Sequence, residues 1–267
     1  MPPESVLLID RQPEFWRLTL NRPDKRNALN PELIALLKVA LMEAAAAPDR
    51  PILILTGAGK AFSAGADLET LQSICRRTPE ENRADSDHLR ELFLAMINHP
   101  APMIAAVNGP ALAGGCGLTT ACDHVIAAPN ASFGYPEVKI GFVAAIVAPL
   151  LVRGIGERRA RELLLSGRTI AAEEARSLGL IHEIVPAEEL RARAEELAQN
   201  YRKNSPTAIA LTKRELAEIA GLSLHDALNY GATLNAEVRA TPDLHEGVAA
   251  FLEKRLPIWP SRAGKKI

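Results

Sequence analysis

Residues 103–141, MIAAVNGPALAGGCGLTTACDHVIAAPNASFGYPEVKIG, are the stretch that decides the fold of this chain. The stretch opens with the apolar run 103–107, which predicts a buried strand and is broken by Asn-Gly-Pro. Small residues at 113–117 then begin a predicted helix, and a second apolar run follows at 124–128. A strand, a small-residue turn and a helix start together can aim backbone N–H groups at an anionic oxygen. Glu137, a carboxylate among apolar neighbours, is a candidate acid–base residue.

The elements around this stretch predict an α/β protein with a helical C-terminal region. Upstream, the apolar runs predict a hairpin over residues 6–20, a helix from Pro31 to about residue 47, a strand at 52–56 and a helix from 79 to about 98. Predicted strands recur as far as residue 185 and then stop. Four helices are predicted beyond that point, at 187–202, 206–220, 224–239 and 243–255. We therefore expect a core of residues 1–200 and a helical region of residues 201–267.

Composition excludes several classes of function. The chain has 31 basic and 32 acidic residues and a formal net charge of −1, which gives no general attraction to nucleic acid or to an anionic membrane. Its 3 cysteines neither suggest a disulfide framework nor combine with histidines at metal-ligand spacing. We see no signal peptide and no apolar run of about 18 residues. A cytoplasmic protein without a metal site is therefore expected.

Two loops of small residues carry candidate oxyanion donors. The first is residues 60–68, KAFSAGADL, where small side chains allow close approach to a ligand and the N–H of Ala66 can donate. The second is residues 113–117, where the N–H of Gly114 is the candidate partner. An ordinary strand-to-helix loop is the alternative for the first, and a close helix–strand contact for the second. The GAGK sequence at 57–60 is not a phosphate-binding loop, because Ile54 and Ala61 occupy the required Gly and Ser/Thr positions.

Several segments in register resemble the crotonase family, the enoyl-CoA hydratases and isomerases, over nearly the whole chain. The segments are NRP at 21–23 with NAL at 27–29, FSAGAD at 62–67, NG at 108–109 through GGC at 114–116 to ACD at 121–123, FGYPE at 133–137, LSG at 165–167, 171–175, GL at 179–180, and 246–255. The resemblance implies a spiral of ββα units followed by helices that mediate a homotrimer, often as a dimer of trimers. It also implies an acyl thioester of coenzyme A as substrate, with no cofactor beyond the coenzyme A of that substrate.

The resemblance assigns roles to individual residues of this chain. Ala66 and Gly114 match the two donors that hold the thioester oxygen, and Glu137 matches the acid–base residue. Matches to positions that contact the substrate or its coenzyme A are Lys25, Arg26, Ala28, Ala64, Asp67, Leu68, Leu112, Gly117, Phe251 and Lys254. Other plausible acyl-pocket residues are Leu71, Ile74, Phe142 and Ile146, and the polar stretch 82–90 could flank that pocket.

One departure from the family pattern bears on the reaction. Well-known hydratases carry two glutamates, and the place of the first is Gly117 here, whereas the second is retained as Glu137. We expect the space beside Gly117 to be filled by substrate or water. The sequence favours a hydratase that uses a single glutamate. The alternatives are a Δ3-Δ2-enoyl-CoA isomerase, which needs only one base, and a non-catalytic relative that binds acyl-CoA or RNA.

Overall fold

A computed structural model describes residues 5–67 and 72–262, and its strands form two sheets. The strands are β1 (Leu7–Arg11), β2 (Phe15–Leu20), β3 (Ile52–Gly57), β4 (Met103–Val107), β5 (Ala111–Leu112), β6 (His124–Ala127), β7 (Ser132–Gly134), β8 (Thr169–Ala171) and β9 (Glu183–Ile184). The larger sheet has the order β1-β2-β3-β4-β6-β9. The β1–β2 hairpin is antiparallel, and the other neighbours in this sheet run parallel. The predicted hairpin and central strands are confirmed.

Helices cover the sheet and continue past it. They are α1 (Pro31–Ala46), α2 (Pro79–Ile97), α3 (Gly114–Thr120), α4 (Ala148–Ile155), α5 (Glu157–Ser166), α6 (Ala172–Leu178), α7 (Leu190–Arg202), α8 (Pro206–Ile219), α9 (Leu224–Val238) and α10 (Pro242–Leu252). Short 3-10 helices occupy Pro23–Lys25, Pro136–Ile140 and Pro260–Arg262. The α/β character and the C-terminal run of helices agree with the prediction.

Local sequence explains where the two helices beside the site begin. Asn30 accepts a hydrogen bond from the N–H of Leu33 at the start of α1. Thr78 and Glu81 form a reciprocal capping box at the start of α2. Each helix also has a proline at its first position, where the missing N–H costs nothing. These caps fix the two helix starts, and residues close to each of them line the cavity described below.

Two apolar clusters hold the fold together. The larger lies between the sheet and the helices α1, α2 and α3, and includes the fully buried Leu33, Leu53 and Leu92. The smaller packs the other face of the parallel strands against α7, with Ile104 and Ala198 at its centre. Parallel strands buried on both faces read as continuous apolar runs, which is why β3 and β4 were predictable from the sequence.

The second sheet was not predicted. It has the order β5-β7-β8, with strands of two or three residues. Such strands are too short to show an alternating pattern. The sheet matters because it anchors the chain on both sides of the site: Leu112 pairs with Gly134, and the N–H of Ala113 donates to the Gly134 carbonyl at 2.8 Å.

Across residues 5–67 and 72–262, the structure has no helix long and apolar enough to cross a membrane.

Candidate active site

A cavity of about 970 Å³ opens between α1, α2, the loop after β3 and the segment after β7. We call residues 63–67 with 111–114 the donor edge, and residues 136–147 the acid–base wall. Both border the cavity, together with the start of α1 and the first half of α2. A cavity of this size suits a sizeable organic ligand, and the chemistry available depends on the polar groups that face it.

The donor edge brings Ala66 and Gly114 to the same cavity, although they are 48 positions apart in the sequence. A Cβ placed on Gly65 would lie 3.1 Å from the backbone nitrogen of Gly114 and 2.6 Å from the Cβ of Ala113. Among the described residues, neither the Ala66 nor the Gly114 N–H donates a hydrogen bond. The structure therefore places two neighbouring segments with free N–H donors beside one cavity.

Each donor follows a residue with positive φ. Gly65, before Ala66, has φ +86°, and Ala113, before Gly114, has φ +50°. Glycine adopts such angles without strain, whereas alanine does so at a cost. Strained backbone of this kind persists only where the surroundings enforce it. The strained angle of Ala113 therefore shows that the fold imposes the orientation of the Gly114 N–H, whereas glycine at position 65 permits that of the Ala66 N–H without strain.

Hydrogen bonds of the backbone hold the donor edge in place. The N–H of Leu29 donates to the Gly65 carbonyl at 2.7 Å, and the N–H of Asp67 donates to the Leu29 carbonyl at 3.2 Å. Ser63 pairs with Ala111, and its carbonyl accepts from the N–H of Leu112 at 2.9 Å. Residues 63–67 are thus bridged to the chain on two sides, which leaves little freedom for the Ala66 N–H.

Glu137 stands at the start of the acid–base wall, in the 3-10 helix Pro136–Ile140, and lines the cavity. The side chain is half-buried, and its Oε2 has no hydrogen-bond partner among the described residues. Burial raises the pKa of this carboxyl above its ordinary value of 4.5, because desolvation disfavours the charged form. A carboxyl group with a raised pKa holds its proton to a higher pH than an ordinary one, which suits a group that must both take up and return a proton.

The groups behind Glu137 are buried and neutral. Tyr135 is fully buried, with its hydroxyl 2.9 Å from the Thr120 Oγ1. Burial raises the pKa of Tyr135 well above its usual range and that of Cys116 to about 11. Both groups therefore stay uncharged at neutral pH. They supply no positive charge that would favour ionised Glu137.

The space beside Gly117 is not available to substrate or water, which corrects our expectation. A Cβ on Gly117 would lie 2.4 Å from the Cγ1 of Val147 and 2.9 Å from the Cζ of Phe93. Both side chains are 3% exposed. Gly117 is itself buried and is absent from the cavity lining. The missing first glutamate of the family pattern is replaced by apolar side chains from α2 and from the wall.

The other predicted contact residues divide into three groups. Those that line the cavity are Lys25, Arg26, Ala28, Ala64, Asp67 and Leu112, and of the further pocket candidates Ile74, Phe142 and Ile146. Leu68 and Leu71 lie outside the described residues. Phe251, near the end of α10, and Lys254, just after it, are exposed and are not part of this cavity.

Asp67 has a structural role that the sequence did not indicate. Its carboxylate Oδ2 lies 2.7 Å from the Nη2 of Arg22, and both side chains are largely buried. A second nitrogen of the same guanidinium donates to the Ala28 carbonyl. The ion pair therefore ties the donor edge to the loop that carries Lys25 and Arg26.

Several lining residues were missed. On α2 the structure places Asn82, Asp85, Ser86 and Leu89 at the cavity, and all four lie within the stretch 82–90 that we expected to flank the pocket. On the wall it adds Ile140, Val143 and Val147. The apolar run after Glu137 was the available signal, but its periodicity does not tell which side chains face a cavity.

A model of one protein family, described as enoyl-CoA hydratase/isomerase, matches residues 11–262 of the chain. The chain belongs to the enoyl-CoA hydratase/isomerase family. The crotonase resemblance of its motifs is thereby confirmed.

Relatives agree with this membership. A protein of Thermus thermophilus, provisionally named an enoyl-CoA hydratase, is 48% identical over 89% of this chain and 94% of its own. The 2,3-dehydroadipyl-CoA hydratase of Escherichia coli is 36% identical over 97% of this chain and 100% of its own. The crystal structure of a Bacillus anthracis enoyl-CoA hydratase superposes with a TM-score of 0.90 at 35% identity, covering 96% and 99% of the two chains. The predicted crotonase-like α/β fold is confirmed.

Metal-binding candidates are missing from the part of the chain that the structure describes: no group of three or more His, Cys, Asp or Glu side chains is arranged to hold an ion. The three cysteines are free thiols.

Proposed function

We propose that this family member is an enoyl-CoA hydratase, a lyase that adds water across the 2,3 double bond of an enoyl-CoA thioester with a single glutamate. The substrate is the acyl-CoA itself, and no further cofactor takes part. The observation that carries the proposal is a half-buried Glu137, whose Oε2 has no hydrogen-bond partner among the described residues, on the same cavity as the donor edge with its free Ala66 and Gly114 N–H groups. The hydratase names of the relatives agree with it.

In the proposed reaction the thioester oxygen accepts hydrogen bonds from the N–H groups of Ala66 and Gly114. The Glu137 carboxylate takes a proton from water, whose oxygen bonds to C3 while the π electrons move toward the thioester oxygen. The enolate that forms carries its charge on that oxygen, so the donors stabilise the transition state more than the substrate. Protonated Glu137 then gives its proton to C2, which completes the 3-hydroxyacyl-CoA and restores the carboxylate.

Lys25 and Arg26 border the same cavity and offer positive charge to the phosphates of coenzyme A. Ala28, Ala64 and Leu112 present small or apolar side chains to the rest of that ligand. Asp67 contributes through its ion pair with Arg22, which orients the loop of Lys25.

Replacement of the carboxylate tests the proposal. Glu137→Gln keeps the shape of the side chain and removes its base, so hydration of crotonyl-CoA should fall roughly 10²- to 10⁴-fold while acyl-CoA binding persists. Loss of the conjugated-enoyl absorbance reports turnover, and calorimetry with a saturated acyl-CoA reports binding. Lys139→Gln is the control, because Lys139 lines the same cavity two positions away. Turnover by Glu137→Gln near the wild-type rate would refute the assignment. Acyl-CoA binding by the wild type without any turnover would indicate a binding protein.

A second candidate function is a Δ3-Δ2-enoyl-CoA isomerase. One observation favours it: Val147 and Phe93 fill the space beside Gly117, where a second carboxylate would otherwise stand. Isomerisation moves a proton between C2 and C4 and needs one base but no water. Gain of conjugated-enoyl absorbance with a 3-enoyl-CoA, without loss of that absorbance with crotonyl-CoA, would establish the isomerase and exclude the hydratase.

We also propose that the chain assembles as a homotrimer or a dimer of trimers, in the cytoplasm. Apolar side chains of the C-terminal region support self-association, because they are widely exposed on the single chain: Leu224, Leu228, Leu252, Leu256 and Ile258. In such an assembly Phe251 and Lys254 would reach the coenzyme A of a neighbouring chain. Sedimentation equilibrium decides the stoichiometry, and a monomer at micromolar concentration would refute the assembly.

A further inference from the structure

Val147 and Phe93 close one side of the cavity next to α3. Gly117 lies three positions after Gly114, so the two residues share a face of α3. A side chain at 117 would point at Val147: its Cβ would be 2.4 Å from the Cγ1 and 3.2 Å from the Cβ of Val147. Val147 also lines the cavity, whereas Gly117 does not. The valine therefore separates Gly117 from the cavity, whereas Gly114 at the start of the same helix still borders it.

The side chains that close this side of the cavity cannot form hydrogen bonds with water. Val147 and Phe93 are apolar and almost completely buried. A retained water needs two to four polar partners, and apolar pockets of this kind stay dry. The Glu137 carboxyl is on the same wall, ten positions earlier, and has a free Oε2.

We propose that Val147, supported by Phe93, sets the balance between water addition and proton shuttling, because it keeps the Gly117 side dry and fills the space in which the family pattern has its first glutamate. The inference rests on the proposed function and names the residue that selects its reaction. Val147 is a specificity-determining residue, since its own side chain transfers no proton.

The experiment compares two valines of the same wall. Val147→Gly opens the Gly117 side, and Val143→Gly removes the same atoms from a side chain that lines the cavity but is 67% exposed. Hydration of crotonyl-CoA and isomerisation of a 3-enoyl-CoA are measured separately on each protein. We expect the hydration-to-isomerisation ratio to rise at least about threefold in Val147→Gly, and to stay within about twofold in Val143→Gly, as access of water changes only beside Gly117.

A carboxylate at 117 sharpens the test. Gly117→Glu alone should lower both activities about tenfold or more, because the new Cβ overlaps Val147. The double variant Gly117→Glu, Val147→Gly should recover activity and raise the ratio about tenfold. If the double variant fails to fold, the hydration-to-isomerisation ratio of the single variant Val147→Gly still tests the inference.

Two results overturn the inference. The first is an unchanged ratio in Val147→Gly, with acyl-CoA binding like that of the wild type. The second is normal folding and activity of Gly117→Glu alone. In either case Glu137-dependent turnover of the wild type leaves the proposed function standing. Wild-type turnover that does not depend on Glu137 would refute the proposed function itself.

Discussion

The donor edge and the acid–base wall border the same cavity but are built in different ways. The donor edge, residues 63–67 and 111–114, is tied by backbone hydrogen bonds to Leu29 on one side and to Gly134 on the other. The wall, residues 136–147, begins as a 3-10 helix and presents widely exposed apolar side chains, among them Ile140 and Phe142. In the proposed reaction the rigid edge would fix the position of the reacting oxygen, and the more exposed wall would supply the proton and shape the acyl site.

The largest effect should come from crowding the donor edge. Gly65→Ala places a Cβ 2.6 Å from that of Ala113 and also forces φ +86° on an alanine. We expect turnover to fall roughly 100-fold or more, because a displaced Ala66 N–H no longer meets the thioester oxygen. The measurement is kcat/KM on crotonyl-CoA.

Gly179→Ala is the matched control for this change. Gly179 has φ +83°, but a Cβ there would meet nothing within 4 Å. Both variants should lose roughly 1–2 kcal/mol of unfolding free energy from the backbone angle alone. Equal losses of turnover in the two variants would mean that crowding at the donor edge has no special importance.

The next effect concerns the ion pair that ties the edge to the loop of Lys25. Asp67→Asn leaves the largely buried Arg22 without its charged partner, so the free energy of unfolding should fall by about 3–5 kcal/mol. Glu157→Gln breaks a pair of similar length, 2.6 Å, whose side chains are 66% and 72% exposed, and should cost less than about 1 kcal/mol. Urea denaturation measures both, and similar costs would contradict a special role for the Arg22–Asp67 pair.

A smaller effect is expected on the wall. Phe142→Ala removes a side chain that is 48% exposed at the cavity, so the fold should lose little stability. The KM for long acyl chains should rise about 3- to 10-fold while the KM for crotonyl-CoA changes less, because only long chains bury their surface against this ring. A uniform change for all chain lengths would place Phe142 outside the acyl site.

The smallest predicted effect is the pH dependence that Glu137 gives to the acid–base wall. The kcat/KM should rise with pH through the pKa of Glu137, which burial places above 4.5. A raised folded-state pKa means that folded Glu137 binds its proton more tightly than unfolded Glu137. Its contribution to stability is therefore present at low pH and lost as the pH rises through the folded-state pKa.

Glu137→Gln should consequently melt at a slightly higher temperature than the wild type at pH 7, and the difference should vanish near pH 4. Thermal melts at both values check this. A variant that melts lower at pH 7 would show that ionised Glu137 is stabilised by partners, contrary to its unpaired Oε2.

Much of the fold follows from apolar runs and helix caps. The strands β3 and β4 and the capped starts of α1 and α2 are local signals, so the sequence predicts them. The meeting of Ala66 with Gly114 is not local, because it depends on a pairing between Ser63 and Ala111. The family pattern suggested that meeting, whereas periodicity alone did not.

The space beside Gly117 shows more clearly what the sequence alone cannot predict. A glycine in the sequence implies free space, and we expected substrate or water there. Val147, 30 positions later, fills that space instead. The volume of a missing side chain can be occupied from any part of the chain, so only the packed structure reveals whether a glycine leaves a hole.

The strained backbone of Ala113 has a consequence for anyone who wishes to make this protein more robust. Replacing this alanine, at φ +50°, by glycine is the obvious way to gain thermal tolerance, since it would release roughly 1–3 kcal/mol of strain. The same replacement would let the following N–H swing away from the cavity. Screening for heat resistance alone would therefore select variants that survive longer and work more slowly.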